Sequence, residues 1–309
     1  MMKTFAAAVA GALFLSVVAR GQVTVEVALD QESYLPHERC LAEIRITNFS
    51  GRTLKFSAAA DWFDLTVESY DGYFVERLAP VPPAEPLEIP NAARGIRRVD
   101  LAPAFDLSKP GRYFAIASVR VPEINQDVTS SRDAFNIMSG VKLWEQAFGV
   151  PGGDPGKPPA VRRYALLQTN DRKRLALYAR VTNEQESRVL RVFPLGRLLS
   201  FSKPEAQVDR LGKLHALFQT GAKQYTYCVV DCDGSLMVRR MYQISDTHPG
   251  LRLAEGGKIK VVGGFRLKSS YDIPPPSDDD EPKPDSAAPA ESTQPKPIAP
   301  ASIEPAKPK

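Results

Sequence analysis

Of the chain's 309 residues only three are cysteines, too few for a disulfide-built fold, so burial of apolar surface must carry stability. The formal net charge of +4 hides a division that decides which partners fit. Residues 23–150 hold 13 basic against 18 acidic side chains, residues 157–271 hold 21 against 9, and the stretch from Asp272 holds 4 against 8.

The chain opens MMKTFAAAVAGALFLSVVARGQ. Lys3 supplies a short positive segment, Thr4 to Ala19 an apolar one, and Ala19-Arg20-Gly21 offers small residues around a cleavage point before Gln22. The pattern predicts a signal peptide over residues 1–21, cleaved near Gly21, and export to a periplasm or an extracellular space. The run is too short and too Ala-rich to prefer spanning a bilayer, which needs about 20 strongly apolar residues. No cysteine precedes Cys40, which excludes a lipid-modified cysteine at the cleavage point. In an exported protein the odd cysteine count leaves at least one free thiol or an intermolecular pair. About 250 residues remain before the tail, enough for two domains with cores of their own.

From Val23 to Ser139 the sequence reads as strand and turn. VTVEVAL and CLAEIRITN alternate with period two, the mark of strands with one buried face. The second ends in Asn48-Phe49-Ser50-Gly51, which is turn chemistry. Asn48-Phe49-Ser50 also matches a glycosylation sequon, meaningful only on a eukaryotic secretory route. FDLTVESYDGYFVERL predicts a hairpin around Asp71-Gly72, and Pro110-Gly111 feeds an alternating strand from Tyr113 to Val121. Short strands at this spacing, punctuated by Gly and Pro, predict a β-sandwich over residues 23–139. The order SYLPHE, IRITNFSGRTLKF, WFDLTVESYDG, DLSKPGRYFAIASV resembles a bacterial immunoglobulin-like domain. It is similar in particular to the BsuPI-type family, named for an intracellular proteinase inhibitor. The resemblance covers roughly residues 24–138 and implies an immunoglobulin-like sandwich; His37 stands where such families usually carry Gly. An inhibitor-like activity is an alternative that rests on this resemblance alone.

Residues 140–161 are dense in Gly and Pro and read as an interdomain linker, ordered at Trp144 and Phe148 by packing on a neighbour. A second, basic β-rich domain follows over residues 162–268. RLALYARVTNEQESRVLRVFPLG predicts strand, polar turn, strand; KLHALFQTGAKQYTYCVVDCDGSLMVRRMYQIS predicts three strands; GGKIKVVGGFRL predicts one more. The starts RLALYARV, KLHALFQT and KIKVVGGF lie 39 and 45 residues apart, near the period of a propeller blade. Too few such units are present to close a propeller, which leaves a small barrel, partial propeller-like sheets, or a coincidental period. The tail, residues 271–309, has no apolar periodicity and a high Pro content, and is expected to be disordered with polyproline II character.

In CVVDCDGSL the pair Asp231 and Asp233 with Gly234 resembles the opening of a calcium loop. The twelfth position, where such a loop needs Glu, is Tyr242. Cys228 and Cys232 on one strand would lie about 13 Å apart, beyond the reach of a disulfide. Asp231-Cys232-Asp233-Gly234 reads instead as a hairpin turn, with Cys228 inside a strand and Cys232, a candidate reactive thiol, exposed at the tip. Cys40 reads as a buried thiol.

His215, six residues after Asp209, forms a pairing that could serve acid–base chemistry or lie on a sheet face. Asp61 and Asp64 flank Trp62 and Phe63 and read as turn plus core. No Ser elbow, H-E-x-x-H, P-loop or Rossmann fingerprint occurs. No catalytic, cofactor or metal residue is therefore assigned. The candidate surface is the set Arg172, Lys173, Arg174, Arg188, Arg191, Arg239 and Arg240, facing an anionic partner such as an envelope protein or an anionic glycan. Export argues against nucleic acid, and membrane contact would be at most peripheral. These features predict an exported, non-catalytic accessory protein of the envelope. A carbohydrate-active enzyme built on the second domain, using Glu205, Asp209, Asp231 and Asp233, is the other alternative.

Overall fold

The computed structural model describes residues 23–57, 62–81, 85–151, 160–171 and 174–275. The candidate signal peptide, Asp61, Arg172, Lys173 and the tail from residue 276 lie outside them. The described chain is all-β, with two short 3-10 turns, at 122–124 and 255–257.

The first half contains β1 (Val23–Leu29), β2 (Ser33–Tyr34), β3 (Leu41–Asn48), β4 (Leu54–Phe56), β5 (Phe63–Ser69), β6 (Leu87–Ile89), β7 (Arg94–Asp100), β8 (Gly111–Val121), β9 (Gln126–Thr129) and β10 (Asp133–Ile137). One sheet has the order β1-β3-β7 and the other β2-β10-β8-β5, with β9 also on β8 and β4 paired to β6. Period two decides what lies between the sheets. In β3 the side chains of Ala42, Ile44 and Ile46 are buried, and in β8 those of Tyr113, Ala115, Ala117, Val119 and Val121. They close around Phe56, Trp62 and Phe135, with the Phe56 and Trp62 rings 4.4 Å apart. Each large side chain buried in this way contributes about 1.5–3 kcal/mol. The arrangement is a β-sandwich.

The second half contains β11 (Val141–Gly149), β12 (Val161–Asp171), β13 (Arg174–Asn183), β14 (Val189–Arg197), β15 (Glu205–Val208), β16 (Leu214–Gly221), β17 (Gln224–Val230), β18 (Leu236–Gln243), β19 (Gly250–Leu253), β20 (Ile259–Val262) and β21 (Phe265–Leu267). They form two open sheets, β11-β12-β13-β14 and β15-β16-β17-β18-β21, and neither closes into a barrel. Tyr164, Leu166, Leu177 and Val181 of the first pack on Leu214, Ala216, Phe218, Cys228 and Val230 of the second. The opposite face of the second sheet, with Leu217, Tyr227 and Val229, is covered by Leu251 and Ile259 of the β19–β20 hairpin. The halves meet where Leu35 inserts among Ala165, Leu167, Tyr178 and Val192.

Several elements differ from their sequence reading. The hairpin around Asp71-Gly72 does not form: β5 pairs with β8, and beyond the turn only Arg77 makes a bridge, to Phe105. The Arg77 guanidinium donates to the Leu65 carbonyl on the free edge of β5, where a returning strand would have bonded. In the stretch read as a linker, residues 141–149 are the edge strand β11, anchored by Phe148 stacking on Tyr164 with centroids 4.2 Å apart. GGKIKVVGGFRL makes two strands, not one. The break falls at Gly263 and Gly264, both in the left-handed region, where a Cβ would strike the His248 and Gln243 carbonyls at 2.4 and 2.7 Å. The 39- and 45-residue spacings do not mark a repeated blade, since β13 lies in a four-stranded sheet, β16 in a five-stranded one and β20 in the two-stranded β19–β20 hairpin. Of the tail, Tyr271 to Pro275 is docked: Ile273 bonds Arg239 in both directions, and buried Asp272 faces Arg266 at 3.4 Å.

Candidate anion-binding surface

The arginines singled out from the sequence do not gather in one place. Arg174 begins β13 and Arg188 follows its far end, so the two lie about 30 Å apart along the strand. Arg191 is exposed on β14, over the Phe193 ring and beneath Gly234. Arg239 and Arg240 are neighbours on β18 and therefore point to opposite faces of the sheet. Arg239 lies toward Leu195 and Cys228, whereas Arg240 lies beside Tyr227. Three other cations of the first sheet are ion-paired. Lys142, Arg163 and Arg180 share Glu145 and Glu186 in one network, and Glu145 comes from β11.

The DCDG turn is a clamp between the two sheets. Gly234 has φ +85° and donates its N–H to Asp231 O, while the Asp231 carboxylate accepts the N–H groups of Asp233 and Ser235. Arg162, on the facing sheet, donates to the Cys232 carbonyl and to Asp233. Cys232 is half-buried and packs on the core between the sheets, so it is not the exposed tip expected from the sequence. Cys228 and Cys40 are fully buried. Burial pushes the Cys228 thiol up to about 12 and holds that of Cys40 well above its ordinary range.

The carboxylates considered for catalysis are each tied to a different structural contact. Glu205 accepts the Leu251 N–H at 2.8 Å, and Asp231 and Asp233 hold the turn. Asp209 accepts the N–H groups of Leu211 and Lys213 and faces His215 Nε2 at 3.1 Å. His215 Nδ1 lies 2.7 Å from the Tyr227 hydroxyl. Burial opposes the Asp209 charge, but these donors outweigh it and keep the carboxyl below its usual range; burial raises the Tyr227 phenol to about 12. This chain of three lies under the β19–β20 hairpin. In the first half, Asp64 pairs with Arg77 at 2.9 Å, and Trp62 is core. The sequon residue Asn48 is fully buried and is likewise structural, with four hydrogen bonds in use.

One group of cations without ion pairs lies at the β19–β20 hairpin, a place that residue counts alone did not single out. Arg252 and Lys260 stand directly opposite each other across the two strands, about 5 Å apart at Cα. Lys258 continues β20 backwards in extended conformation and shares the outward face of Lys260, about 7 Å along. Arg210 reaches in from the β15–β16 turn, its side chain lying 2.5 Å from where a Gly257 Cβ would sit. Among the described residues none of these four makes an ion pair, and Glu255 is the acid in the hairpin's own turn. Leu253, 70% exposed, and Val262, 45% exposed, lie on the same hairpin. Like charges facing each other across a hairpin cost a few tenths to about 1 kcal/mol. Among the described residues no ion pair offsets that cost. The sequence signal was present in K-I-K: two lysines two apart share a face on a strand.

No protein-family model matches the chain, and no curated protein does. Among solved structures, the "Crystal structure of Spo0M, sporulation control protein, from Bacillus subtilis" is similar at 9% identity over 55% of this chain and 83% of that one, with a TM-score of 0.28. A likeness that weak defines neither a fold nor a site. What the chain's own residues define is an all-β protein with a sandwich in its first half and a basic hairpin on its second.

Proposed function

We propose that the chain is an exported, non-catalytic accessory protein of the cell envelope. Its first half acts as an immunoglobulin-like interaction or spacer module, and its second half engages an anionic partner, either an envelope protein or an anionic glycan. The observation that carries this reading is the set Arg252, Lys258 and Lys260 on the β19–β20 hairpin with Arg210 beside it on the β15–β16 turn, none of them ion-paired among the described residues. Such a field draws an anion from a distance and weakens as salt screens it. The separate structural engagement of Glu205, Asp209, Asp231 and Asp233 supports a binding role over hydrolysis. Export rests on the N-terminal sequence.

The test is crosslinking in the producing cell, followed by purification of the tagged full chain in low and moderate salt. A stoichiometric envelope component released by moderate salt is the expected result. Recovery of the chain alone at both salt concentrations would remove the reading.

A further inference from the structure

We infer that the acidic run Asp278-Asp279-Asp280-Glu281 of this chain docks on the cations of the β19–β20 hairpin and shields them until an external anion displaces it. The inference rests on the proposed anion-binding role of that hairpin and names what occupies it in the free protein. The first ground is charge. The register puts Arg252 and Lys260 on the outer face of the hairpin, Lys258 shares that face, and Arg210 stands at the tip. Arg240, beside Tyr227 on the face of the second sheet that the hairpin covers, extends the group toward β18. Among the described residues it too makes no ion pair. Four consecutive carboxylates complement that field in sign. The second ground is where the described chain leaves off. Ile273 bridges Arg239 antiparallel on the edge of β18 that β21 also uses, so the chain there runs toward the β17–β18 turn. The β15–β16 turn with Arg210 lies at the same end, since Leu214 faces Val230 and Val230 faces Leu236. From that edge to β16, beneath the hairpin, is three strand spacings, about 15 Å. Asp278 to Glu281 follow Pro275 by three to six residues and can reach about 10–20 Å from it. A tether this short holds the run at an effective concentration on the order of millimolar. Each pair formed is exposed to solvent and weak, so salt or a polyanion displaces the run.

Carbodiimide crosslinking of the full chain, read by mass spectrometry in the monomer fraction, tests the contact, because it joins a carboxylate only to an amine it touches. The expected products link the run 278–281 to Lys258 or Lys260 and disappear when a soluble sulfated polysaccharide is added. Binding of that polysaccharide tests the consequence. Neutralising the run with Asp278→Asn/Asp279→Asn/Asp280→Asn/Glu281→Gln is expected to tighten binding about fivefold at low salt. The gain is expected to vanish in the Lys258→Gln/Lys260→Gln background. Glu26→Gln/Asp71→Asn/Glu76→Gln/Asp127→Asn, which removes four exposed acids of the first half, controls for net charge and is expected to leave binding close to that of the natural chain. Links from the run to neither hairpin lysine, or links confined to a dimer band, would overturn the inference and leave the anionic-partner reading standing if the polysaccharide still binds. Equal gains from the two four-residue sets would also overturn it, reducing the effect to net charge. Hairpin links with no polysaccharide binding by any form would uphold the docking and overturn the anionic-glycan reading.

Discussion

Leu35 enters the second half of the molecule on a turn that Glu38 holds closed. The Leu35 N–H donates to Glu38 Oε2 at 2.8 Å, and the Glu38 N–H returns to Leu35 O at 3.0 Å. Residue 37 of this turn has φ +64°, the left-handed region that favours Gly, so the turn persists although His37 occupies it. Burial raises the Glu38 carboxyl from 4.5 to about 7, with Gln31 and Asp30 as its polar neighbours. The folded chain therefore holds this proton across a pH range in which the unfolded chain has released it. The stabilising contribution is full below about pH 4.5 and is lost as pH rises through about 7. Complete, it amounts to about 3 kcal/mol. The melting temperature should fall on the order of 5 °C more between pH 5 and 8 for the natural chain than for Glu38→Gln, and parallel profiles would contradict the assignment. Asn48 gives a second test at this scale. Its amide donates to Arg52 O and Ile89 O and accepts from Ser50 twice. Asn48→Ala should lower stability in urea by about 2–3 kcal/mol, and a loss within error of zero would show these bonds to be replaceable by water.

At the scale of elements, the clamp formed by the β17–β18 turn can be separated from ordinary turn strain. Gly72 and Gly234 have φ values of +76° and +85°, but an added Cβ meets nothing within 4 Å at Gly72 and lies 2.9 Å from Arg191 Cβ at Gly234. Gly72→Ala should cost about 1 kcal/mol from backbone strain alone, and Gly234→Ala about twice that, because the facing sheet must also shift. Equal losses in chemical denaturation would remove the clamp. Strands with one buried face, such as β1, β3 and β8, were legible because their alternation is local. The partner of β5 was not: Val67 pairs with Ala115, a choice made by the core and by Arg77, which no turn dipeptide reveals. Strand β11 was obscured by Gly140 before it and the Gly- and Pro-dense run after it, although Phe148 was readable as an anchor. Gly263-Gly264 in the middle of an apparent strand was a break signal that the apolar run hid.

Across the whole molecule, the charge division between halves was readable from residue counts, but its location was not. A cation's field depends on which acid the fold sets opposite it. Glu145, from the stretch read as a linker, and Glu186 offset most of the charge of Lys142, Arg163 and Arg180. Among the described residues Arg252 and Lys260 face each other and make no ion pair, so an uncompensated field sits on the β19–β20 hairpin. The paired charges of the first sheet should accordingly matter little to an anionic partner. Charge reversal on the hairpin should matter most at low salt and fade as the Debye length shrinks to about 8 Å at physiological ionic strength.

The decisive measurement is the salt concentration at which the full chain elutes from an immobilised anionic glycan. The natural chain is compared with Arg252→Glu/Lys258→Glu/Lys260→Glu and with Arg174→Glu/Arg188→Glu. If the hairpin carries the anion-binding role, the triple variant elutes at the column's starting salt while the double variant elutes close to the natural chain. The opposite order, with the triple variant retained and the double variant lost, would contradict the assignment of function to the β19–β20 hairpin.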